Sequence, residues 1–277
     1  MWWPISSRVS TREFPRKKRC RDLQFKIRLI KFASVMMILY RIYQILIMAP
    51  VLLVATILTA TLSILSAVCG VGRWGGYFFP HWWARLFCVM TLVRVKVVGR
   101  ENVRPGTSYV FVANHQGAYD IFAIYGYLNC QFRWMMKKAL EKIPLVGYSC
   151  KVTGHIMVDN SSPSATRHTM ERAEQQLRGG MSLVVFPEGA RTWDGHMRPF
   201  KRGAYLLAME FGLPVVPISI DGAFDVMPRF RKIPRWGTIT LTIHEPIEPG
   251  SDGRHDLPLL MAESERAIRE SLPERFR

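Results

Sequence analysis

The sequence predicts an α/β fold, a mostly parallel sheet flanked by helices, preceded by an N-terminal membrane-associated helical segment. Two observations carry this expectation. From about Val93 onward, short runs rich in Val, Ile, Phe and Thr alternate with helical stretches, the order that builds parallel sheets. Ahead of them, Ile42 to Gly72 gives 31 residues without a charge, bounded by Arg41 and Arg73. A membrane-spanning helix needs about 20 apolar residues.

Taken in order, residues 1–31 read as a basic cytoplasmic tail, with ten Lys or Arg against Glu13 and Asp22. Such a segment stays on the cytoplasmic side and adheres to anionic headgroups. Residues 32–88 read as a membrane-associated helical region. Its apolar block holds Pro50, which offers a break. Then comes RWGGYFFPHWWARLF, where Trp74, Tyr77, Phe78, Phe79, Trp82 and Trp83 crowd together as at a membrane–water interface.

Residues 89–277 carry the alternating elements of a catalytic domain. VRVKVVG, SYVFVAN, HIMVD, SLVVF, PVVPISI and TITLTIH read as strands. SPSATRHTMERAEQQLRGG is a helix with Ser162 as its cap, Pro163 at its first position and Gly179–Gly180 at its end. Its apolar face is Met170, Ala173 and Leu177. KRGAYLLAMEFG is a second helix, stopped by Gly212 and Pro214, and a third covers Leu257 to Leu272.

The chain is 277 residues long and 49% hydrophobic, with a net charge of +17. That charge points to an anionic partner, nucleic acid or a phospholipid surface, and composition alone does not choose. Cys20, Cys69, Cys88, Cys130 and Cys150 show no C-x-x-C spacing, which suits reduced packing residues rather than a zinc or redox site.

The chemistry gathers in two stretches. FVANHQGAYD runs from a strand into Asn114, His115, Gly117 and Asp120. In a regular helix, residues five apart lie roughly 140° apart around the axis, so His115 and Asp120 would not meet. With the strand ending at Asn114 and a helix beginning near Gly117, His115 sits on the turn, where Gly117 lets the backbone bend. Asp120 then reaches back to one ring nitrogen and supports the proton taken up on the other. The bland reading of the same residues is turn chemistry with a helix-start charge. FPEGART, Phe186 to Thr192, also leaves a strand, placing Glu188 and Arg191 where open α/β sheets bind ligands.

Together the two stretches resemble the glycerolipid acyltransferase family, particularly 1-acylglycerol-3-phosphate acyltransferases. NHQGAYD fits the family's N-H-x4-D block, and FPEGART fits its F-P-E-G-T-R block with Ala190 in place of Thr. KKALEKIPLVG resembles the segment between them that holds phosphate, with Lys137 or, as alternative, Lys138 as its lysine. VVPISI resembles the fourth block. The resemblance implies an O-acyltransferase of phospholipid biosynthesis. His115 would be the general base and Asp120 its partner. Lys137 and Arg191 would clamp phosphate, with Glu188 and Gly189 in the acceptor site. The implied substrates are a lysophospholipid and an acyl thioester of CoA or acyl carrier protein, at an anionic membrane and without nucleic acid, metal or other cofactor. No Ser or Cys sits in a nucleophile elbow, so transfer would be direct.

One departure bears on the acceptor. The family's second block ends in Asp-Arg, where this chain has Asp159-Asn160, with Arg167 as a substitute in the helix that follows. Another lysolipid is therefore an alternative acceptor. Two rival classes are a hydrolase holding metal on His115, Asp120, His155 and Glu188, and a non-catalytic binder of anionic ligands. His155, His168, His196 and His244 are expected to be structural or surface residues, and Lys201 and Arg202 to extend a basic floor or lie on a solvated loop. The expected topology is a re-entrant or in-plane helical pair, broken near Pro50, with the catalytic domain on the cytoplasmic face.

Overall fold

The apolar run folds as helix. The structure, a computed structural model, describes residues 16–159, 161–250 and 256–277. It divides into two compact units, one ending at Pro50 and one covering Val51–Arg277. Helix α1 (Arg16–Tyr43) is followed by a π turn (Gln44–Met48) and helix α2 (Ala49–Val68). The stretch Gln24–Val68 is long and apolar enough to cross a membrane. The break expected near Pro50 does not occur. Pro50 sits at the second position of α2, and Ala49 N–H bonds to Gln44 O in the wider π turn just before it. That geometry relieves the clash a proline ring makes in a regular helix. The chain turns instead at Cys69–Gly70, with Gly70 at φ 80°. Residues 1–15 of the basic tail, and Asn160, lie outside the described residues.

Helix α3 (Gly72–Met90) returns against the second half of α2. A Cβ on Gly75 would fall 1.9 Å from Ser66 Oγ, so only glycine allows this approach. Trp83 Nε1 donates to Thr56 Oγ1 at 2.9 Å. The interfacial reading of the aromatics divides here. Trp74, Phe78 and Trp82 are exposed, whereas Tyr77 and Trp83 pack against the core.

Seven strands form one sheet in the order β1-β7-β6-β2-β5-β3-β4. They are β1 (Val93–Val98), β2 (Val110–Ala113), β3 (Phe132–Lys137), β4 (Ile156–Val158), β5 (Ser182–Val185), β6 (Val215–Asp221) and β7 (Gly237–Ile243). Every pairing is parallel except β6 with β7, which confirms the mostly parallel α/β class. Six of these strands were legible; β3 was not. Its FRWMMK lacks β-branched residues and places a cation where an apolar residue is expected. Arg133 is nonetheless buried, donating to Phe132 O at 3.0 Å and Arg73 O at 2.8 Å.

Helices cover both faces, which is why β2 reads as an unbroken apolar run. Phe111 and Ala113 face the core on the side of α4 (Tyr119–Tyr127), while Val110 and Val112 join α7 (Gly203–Glu210) and α9 (Leu257–Ser271) on the other. The remaining helices are α5 (Val146–Val152), α6 (Pro163–Arg178) and α8 (Ala223–Val226). Ser162 caps α6 as expected, its Oγ accepting from Ala165 N at 3.1 Å. Among the described cysteines Cys88 packs in the core, whereas Cys69 is exposed at the turn after α2.

Candidate active site

Strand register assembles the site. Val112 pairs with Val185, and Trp134 pairs with Val184. Counting onward, His115 at the end of β2, Glu188 after β5 and Lys138 after β3 fall at one level. The C-terminal ends of three adjacent strands therefore meet, where open parallel sheets bind ligands.

The turn after β2 is fixed from every side. Asn114 is fully buried, and its amide mimics a strand partner, donating to Ile220 O at 2.9 Å and accepting from Ile220 N at 2.8 Å. His115 N donates to Glu188 Oε1 at 2.7 Å, and His115 O accepts from Thr192 N at 3.0 Å. Gly117 corrects one expectation. It has no positive φ; instead, a Cβ there would lie 2.4 Å from Ala223 O, so glycine is needed for close backbone approach.

Asp120, in the first turn of α4, reaches back as the spacing predicted. His115 Nδ1 donates to Asp120 Oδ2 at 2.8 Å, and Gly117 N donates to the same oxygen at 2.9 Å. Asp120 is fully buried. The imidazole stacks on Phe186 with centroids 4.0 Å apart and planes within 9°. Phe186 in turn stacks on Trp134 at 5.4 Å. With Nδ1 held and the ring plane set, Nε2 is the nitrogen left for chemistry.

Glu188, expected in the acceptor site, lines the cavity beside His115. Both oxygens accept backbone N–H groups, from His115 and, at 3.0 Å, from Arg198. It binds the two loops together. Burial pushes its carboxyl up to about 7, against the lowering effect of those two bonds. Gly189 takes φ +74° beneath Lys201, whose Nζ would lie 2.8 Å from an added Cβ.

A cavity of about 1010 Å³ opens beside His115. Its apolar lining includes Trp83, Trp134, Met136, Ile143 and Met170, and Thr56 and Ala60 reach it from α2. Its polar wall carries Lys137, Arg191, Arg198, Lys201 and Arg229. Among the described residues neither Lys137 nor Arg191 has an ion-pair partner. Lys137 lines the cavity, whereas Lys138 does not and pairs with Asp159 at 2.6 Å. Arg167 is drawn away too. It pairs with Glu171 at 3.1 Å on an exposed face and does not line the cavity.

Arg198 and Arg229 were missed, because both come from loops that no motif covers. Arg229 donates to Arg191 O at 3.2 Å and lies 4.4 Å over the Trp193 ring. Lys201 joins the cationic wall, whereas Arg202 does not line it. The remaining histidines behave as expected. His155 is buried between Tyr125 OH and Trp134 N, and burial, with Arg133 nearby, holds it down at about 3. His168 and His196 pair with surface carboxylates, and His244 bonds Ser219. Among the described residues, no three His, Cys, Asp or Glu side chains group as a metal site would need.

Fold and site define an acyltransferase-type domain: an N-H-x4-D pair beside an apolar cavity with a cationic wall. Residues 94–221 match the model of the family described as Acyltransferase, so that stretch is similar to that family. A 1-acyl-sn-glycerol-3-phosphate acyltransferase of Chlamydomonas reinhardtii is 31% identical over 205 residues, covering 73% of this chain and 59% of the relative. A chloroplastic enzyme of that name from Brassica napus is 31% identical over 174 residues, 61% of this chain and 50% of the relative. One from Pseudomonas aeruginosa is 28% identical over 198 residues, 71% and 74%. The chain thus spans about half to three-fifths of the length of these algal and plant relatives. The crystal structure of the 1-acyl-sn-glycerophosphate (LPA) acyltransferase from Thermotoga maritima superposes with TM-score 0.71 at 25% identity, covering 86% of this chain and 95% of that one.

Proposed function

We propose that this protein transfers a fatty acyl group from a thioester, of CoA or of acyl carrier protein, to the free hydroxyl of 1-acylglycerol-3-phosphate, giving phosphatidic acid. The observation that carries this reading is the 2.8 Å bond from His115 Nδ1 to Asp120, set beside an apolar cavity walled by cations. The names of the algal, plant and bacterial relatives support the same substrate.

In this mechanism Nε2 of His115 removes the acceptor's hydroxyl proton, and Asp120 stabilises the imidazolium that forms. The alkoxide oxygen attacks the thioester carbonyl. The tetrahedral intermediate then collapses, breaking the carbon–sulfur bond, and the imidazolium returns the proton to the leaving thiolate. Lys137 and Arg191, with Arg198 and Lys201 beside them, hold the phosphate as charged donors. The apolar wall takes an acyl chain. Each step uses only the two substrates and this chain's own residues. We place the protein at an anionic membrane, held by Gln24–Val68, with the catalytic domain on the cytoplasmic side where thioester donors are found.

The test is transfer from labelled acyl-CoA, and separately acyl carrier protein, to a panel of lysolipids. Acylation of lysophosphatidic acid above all others is expected. Preference for a lysolipid with a larger headgroup would keep the reaction and overturn the acceptor, pointing to Asp159-Asn160 as its mark.

A further inference from the structure

The loop PRFRKIPRW, Pro228 to Trp236, has no task in the reaction just described. It carries Arg229, Arg231, Lys232 and Arg235, and no carboxylate occurs between Asp225 and Glu245. Between the cations stand Phe230, Ile233 and Trp236, with 59%, 43% and 45% of their surface exposed. Trp193, 61% exposed, joins them under the Arg229 guanidinium.

This exposure is built rather than incidental, because the loop's backbone is tied down. Arg235 N donates to Val226 O at 2.9 Å and Arg231 N to Pro228 O at 3.1 Å. Pro228 bridges to Gly117 of the catalytic turn. Phe230 leans edge-on against Phe224 at 6.1 Å. Asp225, just before the loop, pairs with Arg275 at 2.6 Å. The loop also meets the cavity, since Arg229 lines it. Leu140 and Ile143 line the cavity too and are themselves exposed, as are their neighbours Leu145 and Tyr148.

We propose that the loop Pro228–Trp236 docks on an anionic lipid leaflet, with Phe230, Ile233 and Trp236 entering the headgroup region and the cations meeting lipid phosphates. Interleaved aromatic and basic side chains fit that boundary, where apolar surface leaves water and each cation gains from the negative surface potential. Nucleic acid would also attract the charge, but it offers nothing to Ile233 or to the exposed apolar residues of the cavity lining. Docking rests on the loop's own chemistry. Its consequence, that a lipid acceptor passes from leaflet to cavity along Arg229, rests on the acyltransferase reading.

The test uses the full chain in proteoliposomes, with Ile233→Cys carrying an environment-sensitive dye in a background of Cys20→Ser and Cys69→Ser, the unlabelled-site background without Ile233→Cys serving as the blank. In vesicles of equal parts phosphatidylcholine and phosphatidylglycerol, the dye should shift to the blue and be quenched by nitroxide-bearing lipid. Lys232→Glu/Arg235→Glu should abolish both responses. Aqueous emission without quenching, or a response only to added nucleic acid, would overturn the docking. A second arm follows acyl transfer in Phe230→Ser/Ile233→Ser. KM for acceptor in those anionic vesicles should rise roughly tenfold, with kcat for detergent-dispersed acceptor unchanged. Equal loss in detergent would overturn the proposal. Absence of transfer in the parent chain would sink the acyltransferase reading alone, since the dye reports docking without turnover.

Discussion

His115 is held through its backbone N–H by Glu188, through its carbonyl by Thr192, through Nδ1 by Asp120 and through its ring face by Phe186. Such pre-organisation lets one imidazole nitrogen act without reorganising its surroundings. The His115–Asp120 pair was legible because a five-residue spacing that fails on a helix works across a strand–turn–helix junction. The partners of Glu188 were not legible, because the N–H groups it binds lie in the chain at 115 and 198, and no side-chain pattern reports a backbone donor. Its raised pKa gives a prediction. The folded chain keeps a proton on Glu188 up to about 7, whereas the ordinary value is 4.5. The unfolded chain releases that proton first, so stability falls as pH rises through this window. Glu188→Gln should flatten the dependence, as measured by denaturant unfolding at both ends of the window. An unchanged slope would remove Glu188 from the account. Lys137→Ala should raise KM for lysophosphatidate roughly tenfold, while Lys138→Ala, which loses only a solvent-exposed pair with Asp159, should leave KM near the parent value.

At the scale of elements, one residue decides how closely the catalytic turn approaches α8. Gly117→Ala puts a methyl group 2.4 Å from Ala223 O, which is backbone and does not swing aside. A cost of about 1–3 kcal/mol is expected from such overpacking, together with a lower kcat because His115 rides on the displaced turn. Unfolding and kinetics measured on the same preparation check both parts. Strand and helix assignments were legible wherever β-branched runs or caps marked them, as in SLVVF and Ser162. Strand β3 escaped because its buried arginine is held by the carbonyls of Phe132 and Arg73, a tertiary arrangement that overrides local propensity. Pro50 misled for the opposite reason. A local breaker was accommodated by a local device, the π turn Gln44–Met48.

For the whole molecule, the proposed membrane association would draw on two kinds of attraction, which respond differently to salt. The charge of +17 is screened by salt, whereas burial of the apolar stretch Gln24–Val68 is not. The full chain should therefore stay with the membrane fraction through a high-salt wash; release by salt alone would mean that charge, not the helix, holds it. Fold class and the likeness to acyltransferases were legible because periodicity and two short blocks report them. The cationic wall was only half legible, since Arg198 and Arg229 reach the cavity from loops whose course depends on the packing of the whole domain.

The most direct test of the account is thiol release from acyl-CoA in the presence of 1-acylglycerol-3-phosphate, compared between the parent chain and His115→Ala. The account predicts acceptor-dependent release in the parent and a fall of roughly 10²–10⁴-fold in the variant, the usual contribution of a positioned base, with unfolding behaviour preserved. Equal rates in the two proteins would contradict it.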